Sequence, residues 1–212
     1  DFVEDGMLVG LGTGSTARWF VDLLAASERR ITAVPTSSAT RAQAEGLGIP
    51  LTTLENAGRL DVTVDGADEF DPAMNLIKGG GGALLQEKIV ASNSAKMVVI
   101  SDPSKEVATL GAFPLPVEIV RFGSGSTRGQ VEDVLTAHGF GGKPIGWRGG
   151  EDRFVTDEGH YILDLSLGAI PDPAGLNRDL NLVPGVVETG LFCGLASVVI
   201  VGQEDGSAKV IE

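Results

Sequence analysis

Leu60-Asp61-Val62-Thr63-Val64 reads as a strand that runs straight into Asp65-Gly66-Ala67-Asp68-Glu69. A few residues on, Asn75-Leu76-Ile77-Lys78 meets four consecutive glycines, Gly79 to Gly82. These open into a helix, Ala83 to Asn93, that carries Gln86-Glu87-Lys88. Four ordered glycines cost about 1 kcal/mol each relative to alanine, so they need a reason. They let a ligand approach the backbone, and at a helix N-terminus they leave N–H donors facing it. The plain alternative is a flexible turn, with Asp65 and Asp68 serving as turn and capping residues. Two carboxylates three positions apart, an ammonium group, exposed N–H groups and Glu87 together suit acid–base chemistry on an anionic substrate.

Working outward, Met7 to Leu11 is a short apolar strand followed by Gly12-Thr13-Gly14-Ser15-Thr16 and a helix with apolar Trp19, Phe20, Leu23 and Leu24. The turn is not a dinucleotide fingerprint. Ser15 stands where the third glycine would be, and no acid near Ile31 to Val34 could hold a ribose hydroxyl. A turn ending in Ser15-Thr16 suits a single phosphate, with simple N-capping by Ser15 as the plainer reading. Ile31 to Val34, Leu51 to Leu54, Leu60 to Val64 and Lys96 to Ser101 read as further strands, and Ser37-Ser38 starts a helix. Strands alternating with helices predict an α/β chain with a doubly wound, Rossmann-like parallel sheet. Sites on such sheets lie at the carboxyl ends of strands. Gly12 to Thr16, Asp65 to Asp68 and Asp102 to Lys105 all follow strands and are expected to converge on one crevice.

Phe113-Pro114-Leu115-Pro116 marks a change of pattern. Beyond it come a strand at Val117 to Val120, a helix at Arg128 to Ala137 and a strand at Pro144 to Arg148. A hairpin of Phe154 to Thr156 with His160 to Leu167, a helix at Leu176 to Leu182 and a strand at Val186 to Glu188 follow. This is the split βαβ pattern of a small α+β domain. Ser197 to Val201 and Lys209 to Ile211 are expected to rejoin the first sheet. The predicted division is therefore 1–115 with 189–212 as the Rossmann-like part and 116–188 as a ferredoxin-like part.

The net charge of -13 over 212 residues argues against nucleic acid and against an anionic membrane as partners. No apolar run reaches the length of a membrane span. The start, Asp1-Phe2-Val3-Glu4-Asp5, lacks the basic region of a signal peptide. Cys193 is the only cysteine, so a reducing, cytoplasmic setting is expected. Its apolar neighbours predict a buried, inert thiol. Asp61, Asp65 and Gly66 fall at the spacing of a calcium loop, but Pro72 stands at its closing position, so that reading fails. No clustered histidines or cysteines call for a metal, and no organic cofactor is implied.

Thr13-Gly14-Ser15-Thr16, Asp65-Gly66-Ala67-Asp68, Lys78-Gly79-Gly80-Gly81, Glu87, Ser104-Lys105 and Phe113-Pro114-Leu115-Pro116-Val117-Glu118 together resemble the type A ribose-5-phosphate isomerases, in order and over nearly the whole chain. The resemblance implies interconversion of ribose 5-phosphate and ribulose 5-phosphate in the pentose phosphate pathway, without metal or organic cofactor, by a homodimer or homotetramer. By position, Thr13, Gly14, Ser15, Thr16, Asp65, Gly66, Ala67, Asp68, Lys78, Gly79, Gly80, Gly81 and Lys105 would bind the sugar phosphate. Glu87 would be the proton acceptor. The family begins with a helix bearing a basic residue near the phosphate, and this sequence starts downstream of it.

The chemistry agrees with that assignment. An aldose–ketose isomerase moves a proton between C1 and C2 through an enediolate, and needs a base, oxyanion donors and a proton relay. Lys78 and the glycine N–H groups suit the oxyanion. Asp65 or Asp68 suits ring opening and the relay, the two being interchangeable at this level. Glu87 follows Leu84 and precedes Val90 and Ala91 on a helix that reads as apolar nearly all round, so a desolvated carboxyl with a raised pKa is expected. The rival class is a sugar-phosphate sensor, which would need the phosphate turn but neither Glu87 nor Lys78 as catalysts.

Overall fold

The computed structural model describes residues 2–212; Asp1 lies outside the described residues. In chain order the elements are β1 (Leu8–Leu11), α1 (Ser15–Ala26), β2 (Thr32–Pro35), α2 (Ser38–Gly46), α3 (Leu54–Ala57), β3 (Val62–Asp65), β4 (Glu69–Phe70), β5 (Leu76–Ile77), α4 (Leu84–Ser92) and β6 (Met97–Ser101). After a 3-10 turn at Pro103–Lys105 come β7 (Leu115–Ile119), α5 (Ser124–Ala137), β8 (Ile145–Trp147), β9 (Tyr161–Leu165), α6 (Pro173–Asn181), β10 (Val186–Thr189), β11 (Leu191–Phe192), β12 (Val198–Gly202) and β13 (Ala208–Ile211).

These elements form two compact units. The first comprises the chain up to Ala67, Gln86–Lys105 and Gly194–Glu212. Its six-stranded sheet has the order β13-β12-β6-β3-β1-β2. All neighbours are parallel except the edge strand β13, which runs antiparallel to β12. The two C-terminal strands thus join the first sheet, as expected. Chain direction across the sheet reverses between β1 and β3, the switch point where such folds place ligands. Strand alternation divides the core. Val9, Leu11, Val62 and Val64 pack with Val21, Leu24 and Ala44 on one face. Leu8, Val34 and Leu60 pack with Val90, Leu54 and Ala57 on the other. Each such fully buried aliphatic side chain contributes about 1.5–3 kcal/mol.

The buried stripe of α1 is Ala17, Val21 and Leu24, spaced four and three apart. Trp19 and Leu23, two of the four apolar residues that marked this helix in the sequence, are 68% and 69% exposed. The expected strand Leu51 to Leu54 shrinks to one bridge, Leu51 beside Ala33, before α3 begins at Leu54. The extended Thr53 at the helix N-cap ends the pairing there.

The second unit comprises Asp68–Leu85 and Glu106–Cys193. Its antiparallel sheet has the order β10-β7-β9-β8, which is the split βαβ arrangement. Leu115, Val117 and Ile119 of β7 pack with Leu163 and Leu165 of β9 against Val131 and Leu135 of α5 and Leu176 and Leu180 of α6. The hairpin partner of β9 is β8 and not the expected Phe154 to Thr156. That segment is loop, with Phe154 and Val155 37% and 44% exposed. Helix α5 starts at Ser124, four residues earlier than expected, because the left-handed Gly123 at its N-cap turns the chain into it. A small sheet of order β11-β5-β4 was not anticipated; its strands are two residues each, too short to show periodicity.

Candidate active site

In the first unit, the carboxyl end of β1 delivers Gly12-Thr13-Gly14 to the start of α1. The N-cap is Gly14, with no side-chain cap. Ser15 is therefore the first helical residue and does not cap the helix, which leaves the first-turn N–H groups without a side-chain acceptor. Gly14 and Ser15 are exposed, and Thr13 and Thr16 are half-buried. The Thr13 hydroxyl sits in a cluster with Thr36 Oγ1 at 2.8 Å, Ser37 Oγ at 2.8 Å and Thr40 Oγ1 at 2.9 Å. Thr40 Oγ1 in turn donates to the Gly12 carbonyl at 3.1 Å. This cluster, supplied by the turn after β2, braces the β1–α1 turn from behind. Sequence reasoning missed Thr36 and Thr40; the only signal was a second hydroxyl-rich strand-to-helix turn.

Asp65 ends β3 and is fully buried. Its Oδ1 accepts from the Thr13 N–H at 3.1 Å and from the Gly66 N–H at 2.7 Å. Gly12 allows that approach: a Cβ there would lie 2.2 Å from Asp65 Oδ1 and 2.5 Å from its Cα. Lys105 closes the 3-10 turn after β6 and is half-buried. Asp102 caps that turn through the Ser104 N–H at 2.8 Å and the Ser104 hydroxyl, which holds the Asp102 carboxyl below the usual carboxylate range.

Glu87 lies in the first turn of α4 and is 3% exposed. The helix is not buried all round. Ile89 is 47% exposed, and the buried positions are Leu84, Glu87, Val90 and Ala91, one stripe at helical spacing. A carboxyl group thus occupies a position that the helix period reserves for an apolar side chain.

In the second unit, Asp68 donates its N–H to the Ile77 carbonyl at 2.8 Å, and its Oδ2 accepts from the Gly80 N–H at 2.7 Å. Lys78 is 2% exposed; its N–H donates to Gly190 O at 2.9 Å, and its Nζ lies 5.5 Å from the centre of the Phe192 ring. Gly79 to Gly82 form a turn closed by the Gly82 N–H on the Gly79 carbonyl at 2.9 Å. Gly79 has φ 102, and a Cβ at Gly80 would lie 2.6 Å from Asp68 Oδ1. Nothing lies within 4 Å of a Cβ at Gly81, so its backbone stays open to solvent. Glu69 accepts from the Gly111 N–H at 2.7 Å and the Phe113 N–H at 2.5 Å, which makes it a structural clamp.

The remaining reactive side chains are occupied elsewhere. Cys193 is half-buried against the core of the second unit. His138 pairs with Asp179 and His160 with Glu118, both at 2.9 Å. Among the described residues no helix is long and apolar enough to cross a membrane.

A doubly wound sheet with an uncapped glycine turn, an aspartate at its switch point and a buried helical glutamate, all in the first unit, is the arrangement of an α/β enzyme of acid–base chemistry. Residues 32–206 match the family described as Ribose 5-phosphate isomerase A (phosphoriboisomerase A). The ribose-5-phosphate isomerase A of Nitrobacter hamburgensis is 54% identical over 216 residues, covering 100% of this chain and 93% of that protein. The solved ribose 5-phosphate isomerase from Plasmodium falciparum superposes with a TM-score of 0.91 at 35% identity, over 100% of this chain and 93% of that one. A D-ribose-5-phosphate isomerase in complex with phospho-erythronic acid superposes with a TM-score of 0.89 at 36% identity, over 100% and 93%. The chain belongs to the ribose 5-phosphate isomerase A family. It is an aldose–ketose isomerase that interconverts ribose 5-phosphate and ribulose 5-phosphate.

Proposed function

We propose that Glu87 is the base of this isomerisation and that Lys78 with the N–H groups of Gly79 and Gly81 holds the oxygen on which charge develops. The observation that carries the reading is the burial of Glu87 on the packed stripe of α4. Buried ionisable groups on a packed face cluster at functional sites. In the open-chain aldose, Glu87 takes the C2 proton, and the electron pair moves through C1 to O1. Lys78 and the glycine donors stabilise that oxyanion. A proton passes from O2 to O1, and Glu87 returns its proton to C1, giving the ketose. Asp65 or Asp68 opens the furanose ring and relays the hydroxyl proton. Thr13, Gly14, Ser15, Thr16 and Lys105 hold the phosphate, with Gly66 and Ala67 lining the sugar.

The enzyme works in the cytoplasm as a dimer or tetramer. Residues 1–115 and 189–212 carry the catalysis, and 116–188 supplies subunit contacts. Incubation with ribose 5-phosphate tests the core of the reading: ketose forms with the wild-type chain and drops sharply with Glu87→Gln. A wild-type chain that binds ribose 5-phosphate without turnover would favour the sensor reading.

A further inference from the structure

Arg148 grips the glycine turn from the side of the second unit's sheet. It follows β8 directly, and its side chain is 16% exposed. Nη1 donates to the Gly79 carbonyl at 2.6 Å and to the Gly80 carbonyl at 3.2 Å. Nε and Nη2 donate to the two carboxylate oxygens of Asp164 on β9, at 3.1 and 2.6 Å. The Arg148 main chain is pinned as well. Its N–H donates to Ile162 O at 3.0 Å, and its carbonyl accepts from the Phe154 N–H at 2.8 Å. The guanidinium is therefore a rigid fork, fixed by a carboxylate, by β9 and by the loop at Phe154, with its remaining edge on two glycine carbonyls.

A trans peptide points its C=O and N–H in opposite directions. Holding the Gly79 carbonyl toward Arg148 turns the Gly80 N–H the other way, onto Asp68 Oδ2 at 2.7 Å. Holding the Gly80 carbonyl likewise turns the Gly81 N–H away from Arg148. Gly80–Gly81 is the central peptide of the turn, the one whose flip converts a type I turn into a type II turn. With glycine on both sides the flip meets no Cβ. Something outside the turn must select one orientation, and Arg148 is in contact with the carbonyl that would move.

We propose that Arg148, oriented by Asp164, is a positioning residue for the isomerisation: it keeps the Gly80 N–H on Asp68 and holds the Gly81 N–H in the direction required of an oxyanion donor. The proposal rests on the assignment of the Gly81 N–H to the developing oxyanion under the proposed function. Lysine is a poor substitute, since one ammonium cannot span both Asp164 oxygens and both carbonyls.

The test uses wild type, Glu87→Gln, Arg148→Met, Arg148→Lys and Asp164→Asn. It reads kcat and KM for ribose 5-phosphate, the affinities for phospho-erythronic acid and for inorganic phosphate by calorimetry, and Tm. Loss of one oxyanion donor costs ~10²–10³ in kcat, and misdirected donors cost less, so Arg148→Met should lower kcat by roughly 10–100-fold. KM should stay within about three-fold. Affinity for phospho-erythronic acid, whose carboxylate stands in for the enediolate, falls alongside kcat, while affinity for phosphate does not. Arg148→Lys and Asp164→Asn give smaller losses of the same kind, and they carry the test if Arg148→Met fails to fold. An Arg148→Met or Arg148→Lys enzyme with kcat within two-fold of wild type, beside an impaired Glu87→Gln, overturns this inference alone. So does a loss that tracks only the fraction of folded protein. An inactive wild type, or a Glu87→Gln enzyme with full kcat, overturns the reading beneath it.

Discussion

The Thr13 N–H donates to Asp65 Oδ1 at 3.1 Å, so the turn after β1 and the carboxylate ending β3 are one hydrogen-bonded piece across the switch point of the sheet. Gly12 makes the contact possible. In Gly12→Ala the new Cβ would lie 2.5 Å from the Asp65 Cα, a backbone atom that cannot swing aside. Overpacking of this kind costs about 1–3 kcal/mol. That corresponds to roughly 2–4 °C of Tm per kcal/mol for a chain of this size. Activity should fall further than the folded fraction, because Asp65 is displaced with its strand. Gly46→Ala is the control: it has open space and no positive φ, and should be neutral or stabilising by about 0.4–1 kcal/mol. Thermal scans and turnover of the two variants would decide it, and a Gly12→Ala enzyme as stable and active as wild type would contradict the packing argument.

Ser15 and Thr16 open α1 without capping it. If their role is to hold the phosphate equally in ground and transition states, the Ser15→Ala/Thr16→Ala double variant raises KM and leaves kcat largely intact. Tm should change little, since no cap is lost. Steady-state kinetics separate the two parameters; an unchanged KM would remove both residues from the phosphate site.

Glu118 in β7 is buried beside His160 and Thr156, whose Nδ1 and Oγ1 each lie 2.9 Å from its Oε1. Burial pushes the carboxyl above the usual carboxylate range; the hydrogen bonds from His160 and Thr156 and the nearness of His160 pull it down, and nearby Glu158 adds to the rise. A carboxyl raised in the fold binds its proton more tightly folded than unfolded. Its contribution is therefore most favourable at acid pH and is lost as pH rises from its unfolded value near 4.5 through the higher folded one. Glu118→Gln removes the titration. The Tm of the variant relative to wild type should improve between pH 4.5 and pH 7.5. A Tm difference that is flat with pH, or that runs the other way, would contradict the assignment.

The parts of this molecule that were legible in the sequence are those whose cause is local. The strand ending at Asp65 and the helix that follows the glycines were readable because strand, turn and helix start follow one another within about thirty residues. The split βαβ order could be read because β7, α5, β9 and α6 have clear periods. What was hidden depends on distant chain. Arg148 reaches Gly79 across 69 residues, and no spacing rule connects them. Thr36 and Thr40 brace Thr13 only because β1 and β2 are paired. Hydropathy misjudged α1 and α4 for the same reason. Trp19, Leu23 and Ile89 are apolar but lie off the stripe that the sheet covers, and only the sheet decides which stripe that is.

Among the described residues no three of His, Cys, Asp and Glu gather closely enough to hold a metal ion. The reaction as assigned also moves only protons, which carboxyl groups and an ammonium can manage. Isomerase activity should therefore survive extended dialysis against EDTA. Activity lost in EDTA and recovered only with a divalent ion would require a Lewis acid that the assigned residues do not include.

In the proposed mechanism Glu87 is the base. On α4 it shares a stripe with Leu84, Val90 and Ala91, and it is as buried as they are. An apolar residue there would pack without any desolvation cost. Glu87→Gln keeps the side chain's length and shape, adds no charge and cannot accept the carbon-bound proton. General-base catalysis contributes ~10²–10⁴-fold, and kcat should fall by about that factor. Affinity for ribose 5-phosphate, read by calorimetry, should hold within a few-fold, because the proposed phosphate donors lie on other segments. Tm should hold, since the side chain's shape and polarity are kept. Loss of kcat with affinity and Tm retained is the signature of a base. Loss of all three would make Glu87 structural, and kcat within a few-fold of wild type would pass the role to Asp65, the fully buried carboxylate at the end of β3.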